Sequence, residues 1–301
     1  MLNKLLIIFI IILNNFFFNY TYSDDQINFD VSQIEVLEGG NKIIGKKRGT
    51  ITTNDGVIIS ADEFEYDKIK NVLKAKGNIV VNDETNNYII NSENILYLRD
   101  QERIQIKGKS SSLIFSNYNF KSEDIIILRD KLILESNKPT TIIDKKNQTL
   151  YEIDKLSYSI KDEVLKGEKI FINTKFNQPF SDNYFFKNAI FNLKDQSYIA
   201  KDIDINLKKD IFGNKKNDPR FKGISSSSKN GVTIIDKGIF TSCKKNDKCP
   251  PWSVQANKIT YDKNKKQILY DNALIKVYDI PIIYFPKFFH PGPTVKRQSG
   301  L

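Results

Sequence analysis

A period of about 31 residues runs through most of this chain, and a repeat of that length narrows what it can fold into. Ala61-Asp62-Glu63-Phe64-Glu65-Tyr66-Asp67 returns as Ser92-Glu93-Asn94-Ile95-Leu96-Tyr97 and as Ser122-Glu123-Asp124-Ile125-Ile126-Ile127. It returns again as Ile153-Asp154-Lys155-Leu156-Ser157-Tyr158 and as Lys187-Asn188-Ala189-Ile190-Phe191-Asn192. The next copy, Ala256-Asn257-Lys258-Ile259-Thr260-Tyr261-Asp262, comes about 69 residues later, two periods with one unit degraded or replaced by a loop. Most units have a second half beginning about 12 residues on, as in Leu73-Lys74-Ala75-Lys76-Gly77-Asn78-Ile79 and Val164-Leu165-Lys166-Gly167-Glu168-Lys169-Ile170. Polar steps such as Asp67-Lys68, Asp100-Gln101 and Asp262-Lys263-Asn264 separate the halves, and Asp and Asn form turns.

Within the halves the pattern is that of strands. Ile104 and Ile106, and Ile203, Ile205 and Leu207, alternate with polar residues at period two, as a half-buried strand requires. Ile, Val, Tyr, Phe and Thr dominate, Ala is scarce, and no window after the first two dozen residues carries a helical stripe. The expected fold is all-β. A unit of two short strands cannot bury its apolar face alone and must stack on its neighbours. Rungs of a pectate-lyase-like β-helix are shorter than this period, so strand pairs folding over in a jelly roll fit better. The ends of such an array would be open to strand addition by another β-protein.

Before the repeats, Lys4 precedes Leu5 to Leu13, LLIIFIIIL, a run too short for the roughly 20 residues that span a bilayer and matched to a signal-peptide core. Thr21-Tyr22-Ser23 offers a small-residue cleavage site, so residues 1–23 are assigned to a signal peptide and the mature chain to an exported compartment. With 46 Lys and Arg against 36 Asp and Glu the chain is basic, but no nucleic-acid-binding module or localised basic helix accompanies the charge. A single His and two Cys exclude multi-histidine metal sites and four-cysteine zinc modules. Export permits a disulfide at Cys243 and Cys249, which could close a short loop, serve distant partners, or stay as thiols.

The C-terminal stretch carries a family resemblance. Gly238-Ile239-Phe240-Thr241-Ser242-Cys243, Pro251-Trp252-Ser253-Val254-Gln255-Ala256 and Asp271-Asn272-Ala273 come first. Ile280-Pro281-Ile282-Ile283-Tyr284-Phe285-Pro286-Lys287-Phe288-Phe289-His290-Pro291 and Arg297-Gln298-Ser299-Gly300-Leu301 follow. Together they resemble the N-terminal periplasmic region of the LptD (OstA) family of lipopolysaccharide-assembly proteins, up to the start of the barrel. The resemblance implies an OstA-type stacked β-jelly-roll over residues 35–279, after a short linker at 24–34; the stretch at about 211–231, rich in Lys, Asn and Gly and holding Ser225–Ser228, reads as a loop insertion that interrupts the repeat. It implies a Pro- and aromatic-rich connector at 280–301 leading to an outer-membrane β-barrel missing from this chain.

What the family implies for function is non-catalytic binding and transfer of lipopolysaccharide in the periplasm or at the cell outer membrane, with no cofactor. Its partners would be lipopolysaccharide, a bridge protein of the same fold joined at an edge strand, and, were the natural chain to continue, a barrel plugged by a lipoprotein. Phe64, Ile95, Leu156, Ile190 and Ile259, one per repeat, are the candidates for the inward row of an acyl-chain groove. The same residues would fill the core of any stacked β-protein. Two alternatives are a structural β-repeat surface protein and a secreted polysaccharide-acting β-solenoid enzyme. An enzyme would need carboxylates clustered at matching positions, whereas the positions after Tyr66, Tyr97 and Tyr158 hold Asp67, Leu98 and Ser159. Adjacent pairs such as Asp62 and Glu63 should point to opposite faces of a strand. His290, without partners at metal or triad spacing, reads as a loop residue.

Overall fold

The computed structural model describes residues 27–292, apart from 55, 109–111, 116, 179–180, 210–216 and 247–249. The signal peptide assigned to residues 1–23 therefore lies outside the described residues. Twenty strands form one antiparallel sheet in which chain neighbours are sheet neighbours almost throughout. They are β1 (Asn28–Leu37), β2 (Lys42–Thr52), β3 (Val57–Asp67), β4 (Val72–Asp83) and β5 (Tyr88–Leu98), then β6 (Arg103–Lys107), β7 (Ser112–Phe115), β8 (Tyr118–Lys121), β9 (Asp124–Leu128), β10 (Ile133–Ser136) and β11 (Thr140–Asp144). The rest are β12 (Thr149–Ser159), β13 (Val164–Thr174), β14 (Asn183–Asn192), β15 (Ser197–Asn206), β16 (Arg220–Lys229), β17 (Val232–Thr241), β18 (Trp252–Asp262), β19 (Gln267–Val277) and β20 (Ile280–Pro291). The only helical elements among the described residues are single 3-10 turns at Glu38–Gly40 and Arg99–Gln101.

Each long strand bends at its middle, and the bend folds the sheet into two layers. Between β12 and β13, Ile153 pairs with Ile170 and Lys155 with Glu168, while Asp154 and Lys169 are left out of the ladder. The same one-residue break recurs between β14 and β15, where Lys187 and Asp202 are skipped, and between β18 and β19, where Asn257 and Asn272 are skipped. Every second strand turns this corner through a left-handed residue: Arg48, Asn78, Lys169, Asp202, Lys237 and Asn272 all have positive φ. Gly77, beside one of them, also has positive φ, and a Cβ there would lie 2.6 Å from the Asp62 carboxylate. Layer one holds the halves nearest Val57, Tyr88, Thr149, Asn183 and Trp252, and layer two holds the other halves.

Over the middle of the stack the corner opens. Three bent strands are each broken in two, as β6 with β7, β8 with β9, and β10 with β11. Pairings through β5, β6, β9, β10, β12, β11, β8 and β7 then close a ring of eight strand segments around the break.

The two halves of each sequence repeat are thus two successive strands, and the period is one out-and-back excursion of the meander. Three expected boundaries shift. Among the described residues the stack begins at Asn28, so residues 28–34 of the supposed linker at 24–34 belong to strand β1. The supposed insertion at 211–231 contains β16, whose Ser225–Ser228 pair with both β15 and β17 and supply the missing repeat. A run of serines hides the period-two signal there, although Ser226 points inward and is buried. Of the expected connector at 280–301, Ile280–Pro291 is β20, paired along β19. Its prolines are tolerated because the strand is an edge, where one row of N–H groups has no partner to lose. Among the described strands, β1 pairs only with β2 and β20 only with β19, so both ends of the stack are open.

Candidate functional site: the interior of the sandwich

The apolar faces of the two layers meet in one continuous core running from Ile51 to Ala273. Phe64, Ile95, Leu156 and Ile259 lie in it, buried, on layer two just past the corner. Ile190 does not: it faces out from β14 with 48% of its surface exposed. Its corner residue is Lys187, one position earlier than the sequence alignment of the repeats places it, so the inward residues of that unit are Ala189 and Phe191. Their strand neighbours Glu65, Leu96 and Thr260, on the opposite face, are less buried than Phe64, Ile95 and Ile259.

Opposite the corner the layers part at a mouth, closed differently along its length. Arg129, in the turn after β9 on layer two, donates from Nη1 to Tyr97 Oη at 2.6 Å and to Glu102 Oε2 at 2.9 Å. Its Nη2 reaches across to Asp83 Oδ2, on layer one, at 3.4 Å. The pair is shut away from water, with side-chain exposures of 8% for Arg129 and 1% for Asp83. Asp83 is held in place by Asn86, whose main-chain N–H and side-chain amide both donate to it at 2.9 Å. The guanidinium also lies 5.6 Å from the centre of the Tyr97 ring. One period earlier, Arg99 sits over Tyr66 and donates to its hydroxyl at 3.1 Å. Burial, and then the Asp83 charge, push the neighbouring Tyr88 phenol far above its ordinary value.

Farther along, aromatic rings take over. Tyr151 meets Phe191 with ring centres 6.1 Å apart, and Phe186 meets Tyr198 at 5.3 Å, each contact crossing from layer one to layer two. Around them lies a cavity of about 210 Å³, lined by Tyr118, Tyr151, Tyr184, Phe186, Phe191 and Tyr198, with Lys263 at its edge. Burial raises the phenols of Tyr151, Tyr184 and Tyr198 and pushes Tyr118 up to about 12, so all are neutral hydroxyls at physiological pH. Apart from Phe191, the repeat motif does not point to these residues. The signal present in the sequence was the alternation of Tyr184, Phe186, Phe191 and Tyr198 across one turn.

Other candidates fall outside this site. Cys243 is partly buried in the excursion between β17 and β18, while Cys249 and any bond to it lie outside the described residues. His290 is not in a loop: it sits in β20, sharing a 2.9 Å hydrogen bond with Tyr270 and packing 5.7 Å from Phe240. Asp62 and Glu63 do not straddle the sheet, because the corner bulge turns both outward, and Asp62 accepts hydrogen bonds from Arg48 and Asn78. Among the described residues no three His, Cys, Asp or Glu side chains are grouped to hold a metal.

No protein-family model matches the chain. Over 200 residues, 66% of its length, it is 24% identical to the LPS-assembly protein LptD of Pectobacterium atrosepticum. The match covers 22% of that protein, so the chain spans well under half of the relative's length.

Proposed function

We propose that this chain is a periplasmic, non-catalytic module that holds lipopolysaccharide between two β-layers and passes it toward the outer membrane. The observation that carries the reading is the two-layer stack itself, apolar within, open at both ends, with an aromatic cavity at its mouth. The similarity to an LPS-assembly protein supplies the cargo. Each methylene that leaves water for such an interior gains about 0.8 kcal/mol, so acyl chains need shielding and no chemistry. The present cavity, about 210 Å³, falls below the roughly 300 Å³ at which ligand pockets begin, so the layers part to admit a chain.

The open edges suit assembly. β1 exposes Ile34, Val36 and Leu37, and β20 exposes Ile280, Ile282, Ile283, Tyr284 and Phe289. A bridge protein of the same fold would add its strand at β1, and a barrel with its plug lipoprotein would lie beyond β20. The test is a photo-crosslinker at Phe191 against one at Ile190, adjacent residues of similar character on opposite faces of one strand. Capture of lipopolysaccharide in cells at Phe191 and at most a tenth as much at Ile190 is expected. Equal capture, or none at either position in a folded exported protein, would overturn the reading in favour of a structural repeat.

A further inference from the structure

The interior is not equally able to open along its length, and this rests on the lipid-holding reading above. From Asp83 to Arg129 the layers are joined by a buried ion pair, and the guanidinium is fixed on layer two by Tyr97 and Glu102. Parting the layers there would strip a carboxylate and a guanidinium of each other while both remain largely out of water, which costs several kcal/mol. An incoming acyl chain has no polar atom to offer either of them. Past the tie, the contacts that cross the mouth are ring against ring: Tyr151 on Phe191, Phe186 on Tyr198 and Phe221 on Tyr261. Methylenes can replace such contacts at little loss, because dispersion does not depend on which apolar atom supplies it. The cavity of about 210 Å³ also lies there, lined by the first four of these rings and not by Asp83, Tyr97 or Arg129.

We infer that the Asp83–Arg129 tie clamps the N-terminal part of the sandwich shut and confines an inserted acyl chain to the cavity around Phe186, Phe191 and Tyr198. The chain enters sideways through the mouth. Its phosphate-bearing head stays outside, where Lys263 stands at the rim, 5.8 Å from the centre of the Tyr261 ring. Phe64 and Ile95, though inward-facing, belong to the clamp and touch no lipid.

The experiment places a photo-crosslinker at Tyr198, in the cavity, or at Ile95, behind the tie, and incubates the full chain with purified lipopolysaccharide. Tyr198 should capture at least ten times more lipid than Ile95. In Asp83→Asn, which keeps one acceptor oxygen for Asn86 and removes the charge facing Arg129, capture at Ile95 should rise at least threefold. Spin labels across the mouth at Lys131 and Glu84 and at Lys194 and Lys175 give a reading that needs no crosslink. Lipid should widen the second pair and leave the first unchanged unless Asp83 is replaced. Equal capture at Tyr198 and Ile95 in the unaltered protein overturns the clamp and leaves the lipid-holding reading standing, as does widening of both pairs. Absence of capture at both positions, with neither pair moving, overturns both.

Discussion

The first part of the stack, β3 to β11, and the second, β12 to β19, are built from the same repeat and hold their layers together by different means. In the first, Asp83 and Arg129 join the layers through charge, and Phe120 of β8 backs them up by packing on Tyr158 of the adjoining β12, 5.1 Å away. In the second, the contacts across the mouth are aromatic and leave room beside them. One sequence period thus produces two interiors, because the residue at the mouth end of each strand is free to vary while the corner and the alternation are held. A polar tie fixes a geometry. A ring contact can be exchanged for another apolar surface.

Breaking the tie should have the largest effect. Arg129→Met leaves Asp83 buried without its partner, and a loss of about 3–5 kcal/mol is expected from the denaturant midpoint. The double replacement with Asp83→Asn should recover a good part of that. A loss under about 1 kcal/mol for the single variant would mean the two parts differ less than the geometry indicates.

Removing a ring from each part sharpens the contrast. Phe120 is fully buried against Tyr158, so Phe120→Ala should cost about 3–5 kcal/mol. Phe191 already borders empty space, and Phe191→Ala should cost about 1–2 kcal/mol less than that, since the cost of a truncation depends on how the site around it relaxes. Equal losses would argue against a loosely filled second part.

Alkali should unfold both parts together. Burial, the leading cause in each, raises the phenols of Tyr88, Tyr158 and Tyr270 well above the ordinary value near 10. The unfolded chain then releases these protons first, so stability is intact below about pH 10 and falls as pH rises beyond it, by at most about 1.4 kcal/mol per pH unit for each phenol. The Tyr158 hydroxyl has no hydrogen-bond partner, so Tyr158→Phe should flatten the decline measured by thermal melting between pH 10 and 11 without cost at pH 7. An unchanged slope in that variant would remove Tyr158 from the cause.

Much of this was legible in the sequence, and the failures are specific. Alternation at Ile104 and Ile106 gave the strands, and the period gave the meander. Aligning the repeat on Asn-Ala-Ile-Phe puts Ile190 on the wrong face, because a one-residue slip reverses every side chain in a strand. Ser225–Ser228 read as a loop because serine carries no apolar signal, although pairing on both sides makes it a central strand. The connector at 280–301 follows from the family resemblance, and Pro281, Pro286 and Pro291 hide the strand there because proline argues against one, a rule that does not hold at an edge. The tie was invisible because Asp83 and Arg129 are far apart in the chain and sit at turn positions, where charge is the ordinary expectation.

The smallest expected effect concerns what the two parts share. Lys237 turns the corner in β17 with φ of 47°, and Asn272 does the same in β19 with φ of 54°. A side chain in that region costs roughly 1–2 kcal/mol relative to right-handed backbone, and Asn bears it better than Lys because its short polar group can bond locally. Glycine escapes the cost but loses about 0.5–1 kcal/mol through the freedom it has when unfolded. Lys237→Gly should therefore raise stability by about 0.5–1 kcal/mol, and Asn272→Gly should leave it within about 0.5 kcal/mol of the parent. Neither change touches the mouth, so neither should alter where lipid is captured. If Lys237→Gly destabilised the protein, the left-handed corner would not be the backbone feature that folds the sheet over. The break in each ladder would then need another cause, such as the alternating charges of Asp154, Lys169, Lys187 and Asp202 along the ridge.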